Sequence, residues 1–399
     1  MKKQVVSVLL TAAMTAGMLA GCGSSTASTS KSASAGSSSS SSTAASSSAA
    51  STSTAASSNS VASGSTEAVA STSGAAGVGE ATGKYALVPK SAGNPFNERE
   101  ASGFQDALKA LGCSDDQIIV SYPDNPTADS QITVIQSLIS QGVSSIAVAA
   151  NDASALDAAL KQASDAGIKV CTLDSDVDAD YRSVFCNQAG VKEIAQALMD
   201  AVYDISGGSG EYAILSATSQ ATNKNAWIAA MKEIAESDSK YADLKLDEIA
   251  YGDDEAQKST DQTQALLTKY PDLKVICSPT TVGIAAAAKV LQDQKSSVKL
   301  TGLGLPSEMK EYIGDDDSHS CPYMFLWNPI DLGALAAYTS VALVNGTITG
   351  AVGDTFTAGD LNDGNPYTIT ENSDKASEII LGQPFKFDPS NIEEWAEVY

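Results

Sequence analysis

Ile146-Ala147-Val148-Ala149, then Leu156, Leu160 and Ala163 at helical spacing, then Ile168-Lys169-Val170-Cys171-Thr172-Leu173: this stretch decides the fold. Two short, continuous apolar runs flank an amphipathic helix. Strands apolar on both faces belong to parallel sheets covered by helices on both sides. The same unit recurs upstream. Tyr85-Ala86-Leu87-Val88-Pro89 precedes a helix with Phe104, Ala107, Leu108 and Leu111 on one face, and Ile118-Ile119-Val120 precedes Ile132, Ile135, Leu138 and Ile139. Downstream, Phe185-Cys186 leads into Val191, Ile194, Leu198, Ala201, Val202 and Ile205, a long helix that stops at Gly207-Gly208. The alternation then restarts, with strands at Tyr212–Leu215, Leu244–Ile249, Val275-Ile276-Cys277 and Val298–Leu303. Two such series between Lys84 and Tyr399 predict an α/β protein of two doubly wound parallel-sheet lobes.

What precedes Lys84 reads differently. Met1-Lys2-Lys3, an apolar run of about 16 residues from Val5 to Ala20, and Leu19-Ala20-Gly21-Cys22 have the form of a secretory signal ending in a lipobox. The run is shorter than the ~20 residues of a spanning helix. It predicts a signal peptide over 1–21 and a lipid on the Cys22 sulfur; the plainer alternatives are an ordinary signal with an incidental cysteine, or an uncleaved anchor. Ser, Ala, Thr and Gly then dominate as far as Gly79, with Lys31 and Glu67 as rare charges. Such a composition buries too little apolar surface to order itself. The expected organisation is a lipidated Cys22 and disordered tether over 22–83, with a reach on the order of 40 Å, and a globular part over 84–399. Location is therefore expected to be extracytoplasmic, with the lipid holding the protein to the cell membrane.

The formal charge is −24 over 399 residues, which excludes nucleic acid as an expected partner. Besides Cys22 there are Cys113, Cys171, Cys186, Cys277 and Cys321, an odd number without CxxC spacing. That argues against a disulfide framework or a zinc site. Cys171 and Cys277 sit in apolar strands as small core residues. The one histidine, His319, follows Asp315-Asp316-Asp317-Ser318, a solvated turn more readily than a metal loop. The sequence has no GxSxG elbow, GxxxxGK phosphate loop or HExxH motif, so no catalytic residue, cofactor or metal is expected. Asp174 and Asp176 as a glycosidase pair would be the remote enzymatic alternative.

In doubly wound sheets, ligands bind beyond the carboxyl ends of the strands. Those positions hold Lys90, Asn94 and Phe96; Asn151 and Asp152; Asp174 and Asp176; Asn187-Gln188; Thr222, Asn223, Asn225 and Trp227; Pro279-Thr280-Thr281; and Trp327-Asn328. Asp152, Thr222 and Thr280 are also well placed as helix caps. Amides, hydroxyls and carboxylates with a few aromatic rings suit a neutral polyol, because paired acceptors take vicinal hydroxyls and ring faces pack on C–H groups.

Taken in order, Tyr85-Ala-Leu-Val-Pro-Lys-Ser-Ala-Gly-Asn-Pro-Phe96, Leu173-Asp-Ser-Asp176, Cys186-Asn-Gln188, Ala221-Thr-Asn-Lys-Asn-Ala-Trp227, Pro279-Thr-Thr-Val-Gly283, Thr301-Gly-Leu-Gly-Leu-Pro-Ser-Glu-Met309 and Leu326-Trp-Asn-Pro329 carry a family resemblance. The chain resembles the sugar-binding lipoproteins and periplasmic proteins of ABC importers, type I, in the branch of ribose binders and the autoinducer-two receptor, and above all the rhamnose binders. The resemblance implies lobes joined by a three-crossing hinge, near Asn187, near Asn328 and between Ala351 and Phe356. The first lobe would then take about 84–188 and 328–355, and the second about 189–327 and 356–399. It implies that Lys90 and Asp174 grip ligand hydroxyls. Asn223-Lys224 and Thr281 depart from the autoinducer receptor towards the rhamnose subgroup, whereas Leu173 replaces a frequent Trp.

The expected ligand set is Lys90, Asn94, Phe96, Asp174, Asp176, Asn187, Gln188, Asn223, Asn225, Pro279, Thr280, Thr281 and Asn328, with the methyl of L-rhamnose against Phe96 or Leu305. The expected function is that of a monomeric sugar-binding lipoprotein delivering L-rhamnose to the permease and ATPase of an ABC importer. The alternatives are an autoinducer-two, pentose or hexose binder, or a sugar sensor for a membrane receptor.

Overall fold

Described in a computed structural model, residues 76–399 form the α/β architecture that the alternation predicts. The expected signal peptide, Cys22 and the tether up to residue 75 lie outside the described residues. In chain order the first lobe begins β1 (Tyr85–Val88), α1 (Pro95–Ala110), β2 (Ile118–Val120), α2 (Ala128–Gln141), β3 (Ser145–Val148), α3 (Asp157–Asp165), β4 (Lys169–Leu173) and β5 (Val184–Asn187). The second lobe comprises α4 (Val191–Ser206), β6 (Gly210–Ser216), α5 (Thr222–Ser237), β7 (Leu244–Tyr251), α6 (Ala256–Lys269), β8 (Leu273–Ser278), α7 (Thr281–Asp293), β9 (Lys299–Gly302), α8 (Pro306–Met309) and β10 (Met324–Leu326). Then follow α9 (Pro329–Val344), β11 (Thr355–Phe356), β12 (Tyr367–Thr368), β13 (Thr370–Glu371), β14 (Ser377–Ile380), β15 (Phe385–Phe387) and α10 (Ile392–Trp395).

The first sheet has the order β13-β14-β5-β4-β3-β1-β2, parallel except for β13 against β14. The second has the order β7-β6-β8-β9, all parallel, and a bridge from Leu303 to Phe325 continues it towards the antiparallel pair β10-β15. Alternate residues of β1 and β3 go to opposite sides. Ala86, Val88, Ile146 and Val148 pack with Ile135, Leu138 and Leu160 of α2 and α3, while Tyr85, Leu87 and Ala147 face the layer of α1 and α9. Local chemistry sets the helix ends. Asn94 and Asn328 each cap a helix that opens on proline, and Gly142 and Gly207 end α2 and α4 in the left-handed conformation. All five described cysteines are buried free thiols; Cys171 and Cys186 lie 3.4 Å from the hydroxyls of Ser340 and Thr339 on α9.

Two boundaries differ from those expected. The tether does not extend to residue 83, because the chain is packed from Gly77 onward. Gly77 bridges Thr357, Val78 and Ala81 are buried, and Asn345 Nδ2 donates to the carbonyls of Val78 and Glu80 at 2.9 Å each. The third passage between lobes lies at Leu381–Pro384, between β14 and β15, and not at 351–356. Phe356, the expected point of return, pairs with Tyr367 in β12, and β14 then adds to the open edge of β5 with Ile379 beside Cys186. An unpaired edge next to a buried isoleucine holds the chain in the first lobe for one more strand.

Helices α1 and α9 approach until backbone touches backbone. A Cβ at Gly103 would sit 1.9 Å from the carbonyl oxygen of Ile330, and one at Gly333 would sit 1.9 Å from that of Glu100. Gly103→Ala should therefore lower the unfolding free energy by about 1–3 kcal/mol, the usual range for overpacking. Urea unfolding of variant and parent checks this, with Gly382→Ala as the comparison, since a Cβ there would meet nothing within 4 Å and the backbone is not left-handed.

Candidate functional site

Loops beyond β1, β3 and β4 face loops beyond β6, β7, β8 and β10, and their side chains line one cleft between the lobes. At its centre three side chains from both lobes meet. Lys90 Nζ lies 2.8 Å from Asp174 Oδ2 and donates to Asn223 Oδ1 at 3.2 Å. Asn223 Nδ2, from the second lobe, donates to both Oδ1 and the main-chain oxygen of Asp174 at 3.1 Å. Gln188 Nε2 donates to the same main-chain oxygen at 3.1 Å. Asp174 adopts φ 56°, a left-handed conformation uncommon outside glycine and characteristic of functional turns.

The frame beneath this contact is also polar. Gln131 of α2, fully buried, donates to the carbonyls of Pro89 and Ala149 and accepts from the Asn151 amide, tying the β1 and β3 loops together. Asn151 Nδ2 then holds the carbonyl of Lys90 at 3.0 Å, and Asn97 holds Ser91 through its carbonyl and hydroxyl. On the apolar side Phe96 and Trp327 meet edge to face at 6.2 Å, and Trp227 meets Trp327 at 5.7 Å. Leu303 and Leu326 complete that wall.

Charges oppose one another within the cluster. Burial pushes the Asp174 carboxyl up, but the charges of Lys90 and Lys224 and the hydrogen bonds from Lys90 and Asn223 outweigh it and hold the group below the usual aspartate range. Lys224 goes down, through burial first and the Lys90 charge second. Its ammonium lies over the Trp227 ring at 5.4 Å. Behind Lys90, Glu100 of α1 is buried with Oε1 unpartnered. Burial and the Asp174 carboxylate carry its acid well above the usual range, against the pull of Lys90 and Lys224.

Lys90, Asn94, Phe96, Asp174, Pro279, Thr280 and Thr281 all line the cleft, and Asn223 joins it through Lys90 and Asp174. The Asn94 carbonyl is committed to the amide of Phe96, which leaves its amide nitrogen as the donor. Thr280 does not cap α7 with its side chain; its hydroxyl goes to Asp254. Five expected residues are occupied elsewhere. Asp176 is clamped by Arg182 through two bonds of 2.9 and 2.6 Å. Asn187 donates to Glu378, and Gln188 braces Asp174 from the far side. Asn225 is exposed and bonds Ser219, and Asn328 caps α9. Leu305 is buried at the start of α8, away from the cleft.

Asp253 and Asp254 were not expected there. They follow β7 in a Gly-Asp-Asp turn at φ 54° each, and Asp253 pairs with Lys258. The strand-end rule applied to Leu244–Tyr251 points straight at them. Lys224, Ser91, Asn97 and Thr218 also line the cleft.

Comparison with known proteins places this geometry in context. A model of the periplasmic binding protein domain matches residues 85–348. An ABC transporter solute binding protein from Clostridium phytofermentas, solved with bound L-rhamnose, is 58% identical, with a TM-score of 0.77 over 80% of this chain and 100% of that one. A sugar ABC transporter from Actinomyces odontolyticus is 40% identical, with a TM-score of 0.63 over 78% and 97%. LsrB from Clostridium saccharobutylicum, solved with AI-2, shares the fold at 23% identity and a TM-score of 0.69 over 78% and 99%. The D-ribose/D-allose-binding protein of Pseudomonas aeruginosa is 25% identical over 202 residues, 48% of this chain; the match spans 61% of that relative, short of two thirds of its length.

Glu100 gives the site a pH signature. An acid raised in the folded state weakens the fold as pH climbs past the ordinary glutamate value of about 4.3, because the unfolded chain ionises first. Glu100→Gln, which cannot ionise, should gain on the parent in denaturant midpoint between pH 5 and pH 8; an unchanged gap would mean the two states hold that proton equally.

Proposed function

Because the chain belongs to the periplasmic binding protein domain family, we propose that it is a lipid-anchored sugar receptor of an ABC importer, closing on L-rhamnose and handing it to the permease. The family is one of solute receptors, and no chemical step is assigned to the cleft. The observation that carries the proposal is the junction of Lys90, Asp174 and Asn223, where donors and acceptors from the two lobes converge beside three aromatic rings. The 58% identity to a protein solved with L-rhamnose supports that sugar over others.

Each part of the wall has a role in this reading. Lys90 and the Asn94 amide donate to sugar oxygens, and Asp174 and Asp254 accept from hydroxyls. Thr281 and the Asn223 amide complete the polar set from the second lobe. Phe96, Trp227 and Trp327 pack on the C–H face of the ring. Leu303 and Leu326, in place of Leu305, receive the methyl group that marks a 6-deoxy sugar. A sugar that docks on the first lobe and gains further bonds from the second favours the closed form by the difference. The lipid on Cys22 keeps the receptor near its permease.

Asp174→Ala removes the acceptor and strands Lys90, so affinity should fall by about 1–3 kcal/mol, roughly 5- to 150-fold. Calorimetric titration with L-rhamnose, D-ribose, D-galactose and autoinducer-two tests both statements. Heat with another sugar and none with L-rhamnose would replace the ligand and keep the receptor; equal affinity of parent and variant would remove Asp174 from the site.

A further inference from the structure

Two lysines line the sugar cleft, and the protein satisfies only one of them. Lys90 Nζ has Asp174 Oδ2 at 2.8 Å and Asn223 Oδ1 at 3.2 Å. Lys224, in the first turn of α5 in the second lobe, has no such contacts. Among the described residues no carboxylate lies within 4 Å of its Nζ, and no oxygen accepts from it. What the ammonium meets is the Trp227 ring, 5.4 Å from the centroid. The main-chain amide of Lys224 goes to Asn223 Oδ1 at 3.0 Å, which fixes the root of the side chain beside the Lys90–Asp174 pair. Lys224 is half-buried and its Nζ keeps accessible surface, so the free donor opens onto the cleft that it lines.

An ammonium drawn partly out of water without an acceptor is costly. Asp174, Asp254 and Glu100 favour its charged form from a distance, but burial and the Lys90 charge oppose them and prevail. None of the three brings an oxygen within hydrogen-bond reach, so the acceptor must come from what fills the cleft. A cyclic sugar offers two kinds of oxygen. Each hydroxyl both donates and accepts, and the carboxylates of Asp174 and Asp254 suit the protons of hydroxyls. The ring oxygen has no proton and can only accept. Lys224 is its complement, because an ammonium donates three hydrogen bonds and accepts none. It also stands against Trp227, one of the rings assigned to the C–H face, which places the donor beside the sugar ring.

We propose that Lys224 is a specificity-determining residue of the cleft, the charged donor that recognises the ring oxygen of a cyclic sugar; this rests on the sugar reading. The test is calorimetric titration of the full chain with L-rhamnose and with its carbocyclic analogue, in which a CH2 group replaces the ring oxygen. The parent should bind the analogue about 10- to 150-fold more weakly, the span of a hydrogen bond to a charged group. Lys224→Met should bind the two ligands alike, with L-rhamnose weakened by a similar factor. Lys224→Gln, shorter and uncharged, is read in the same way, so that the outcome does not hang on one substitution. A purely structural lysine would lower both affinities and leave their ratio standing. A parent indifferent to the ring oxygen, or variants that keep the preference of the parent, overturns the assignment. If L-rhamnose gives no heat with the parent, the sugar reading for L-rhamnose fails, and the same comparison passes to D-ribose or D-galactose, whichever binds, with its own carbocyclic analogue. If none of these sugars binds, the assignment falls as well.

Discussion

A carboxylate that has left water must be paired, and in this protein the pairing of Asp174 organises everything around it. Lys90 supplies the charge, Asn223 and Gln188 supply the hydrogen bonds, and three loops are positioned so that these groups arrive together. Breaking a buried pair from one side typically costs about 3–5 kcal/mol. The lobes therefore have a reason of their own to meet at this point, since Asn223 reaches across from the second. The strained turn at Asp174 follows from the same demand, because a left-handed residue presents its side chain and its main-chain oxygen to one partner.

Around that pair the polar side chains divide by task. Gln131, Asn97, Asp176 and Arg182 spend their hydrogen bonds on the frame, holding loops whose backbone would otherwise be unsatisfied. Asp254, Thr281, Lys224 and the amide of Asn94 keep donors or acceptors for the cleft. Sequence position does not separate the two groups: Asp174 and Asp176 are neighbours in one loop, and only the second meets a buried guanidinium. The sign of the cluster matters as well. Lys90 and Lys224 are matched on the cleft wall by the carboxylates of Asp174 and Asp254, and Asp253 is paired with Lys258, a balance that suits an uncharged ligand.

The regular part of the fold was legible because its cause is local. Each parallel strand carries its own apolar run and each helix its own stripe, so β1 to β9 stand close to where the alternation puts them. The strands after α9 have no such signature. β13, β14 and β15 are two to four residues long, and they exist because distant edges at β5 and β10 accept them. The displaced third passage is the direct result. In the site, strand-end position found the loops but not the partners. Asp176 was lost to Arg182, six residues away, and Asn187 to Glu378, almost two hundred residues away. Asp253 and Asp254 were findable by the rule already in use.

The segment from Gly77 to Ala81 determines how force enters the molecule. It is fastened by Asn345 and Thr357, both carried by the first lobe, next to the end of α9. A pull applied at Gly77 would enter that lobe alone, which meets the other through the short connections between β5 and α4, β10 and α9, and β14 and β15. The second lobe makes none of these fastenings: its place is set by those connections and by the Asn223 contact in the cleft, so the entry of the chain and the positioning of that lobe are mechanically separate.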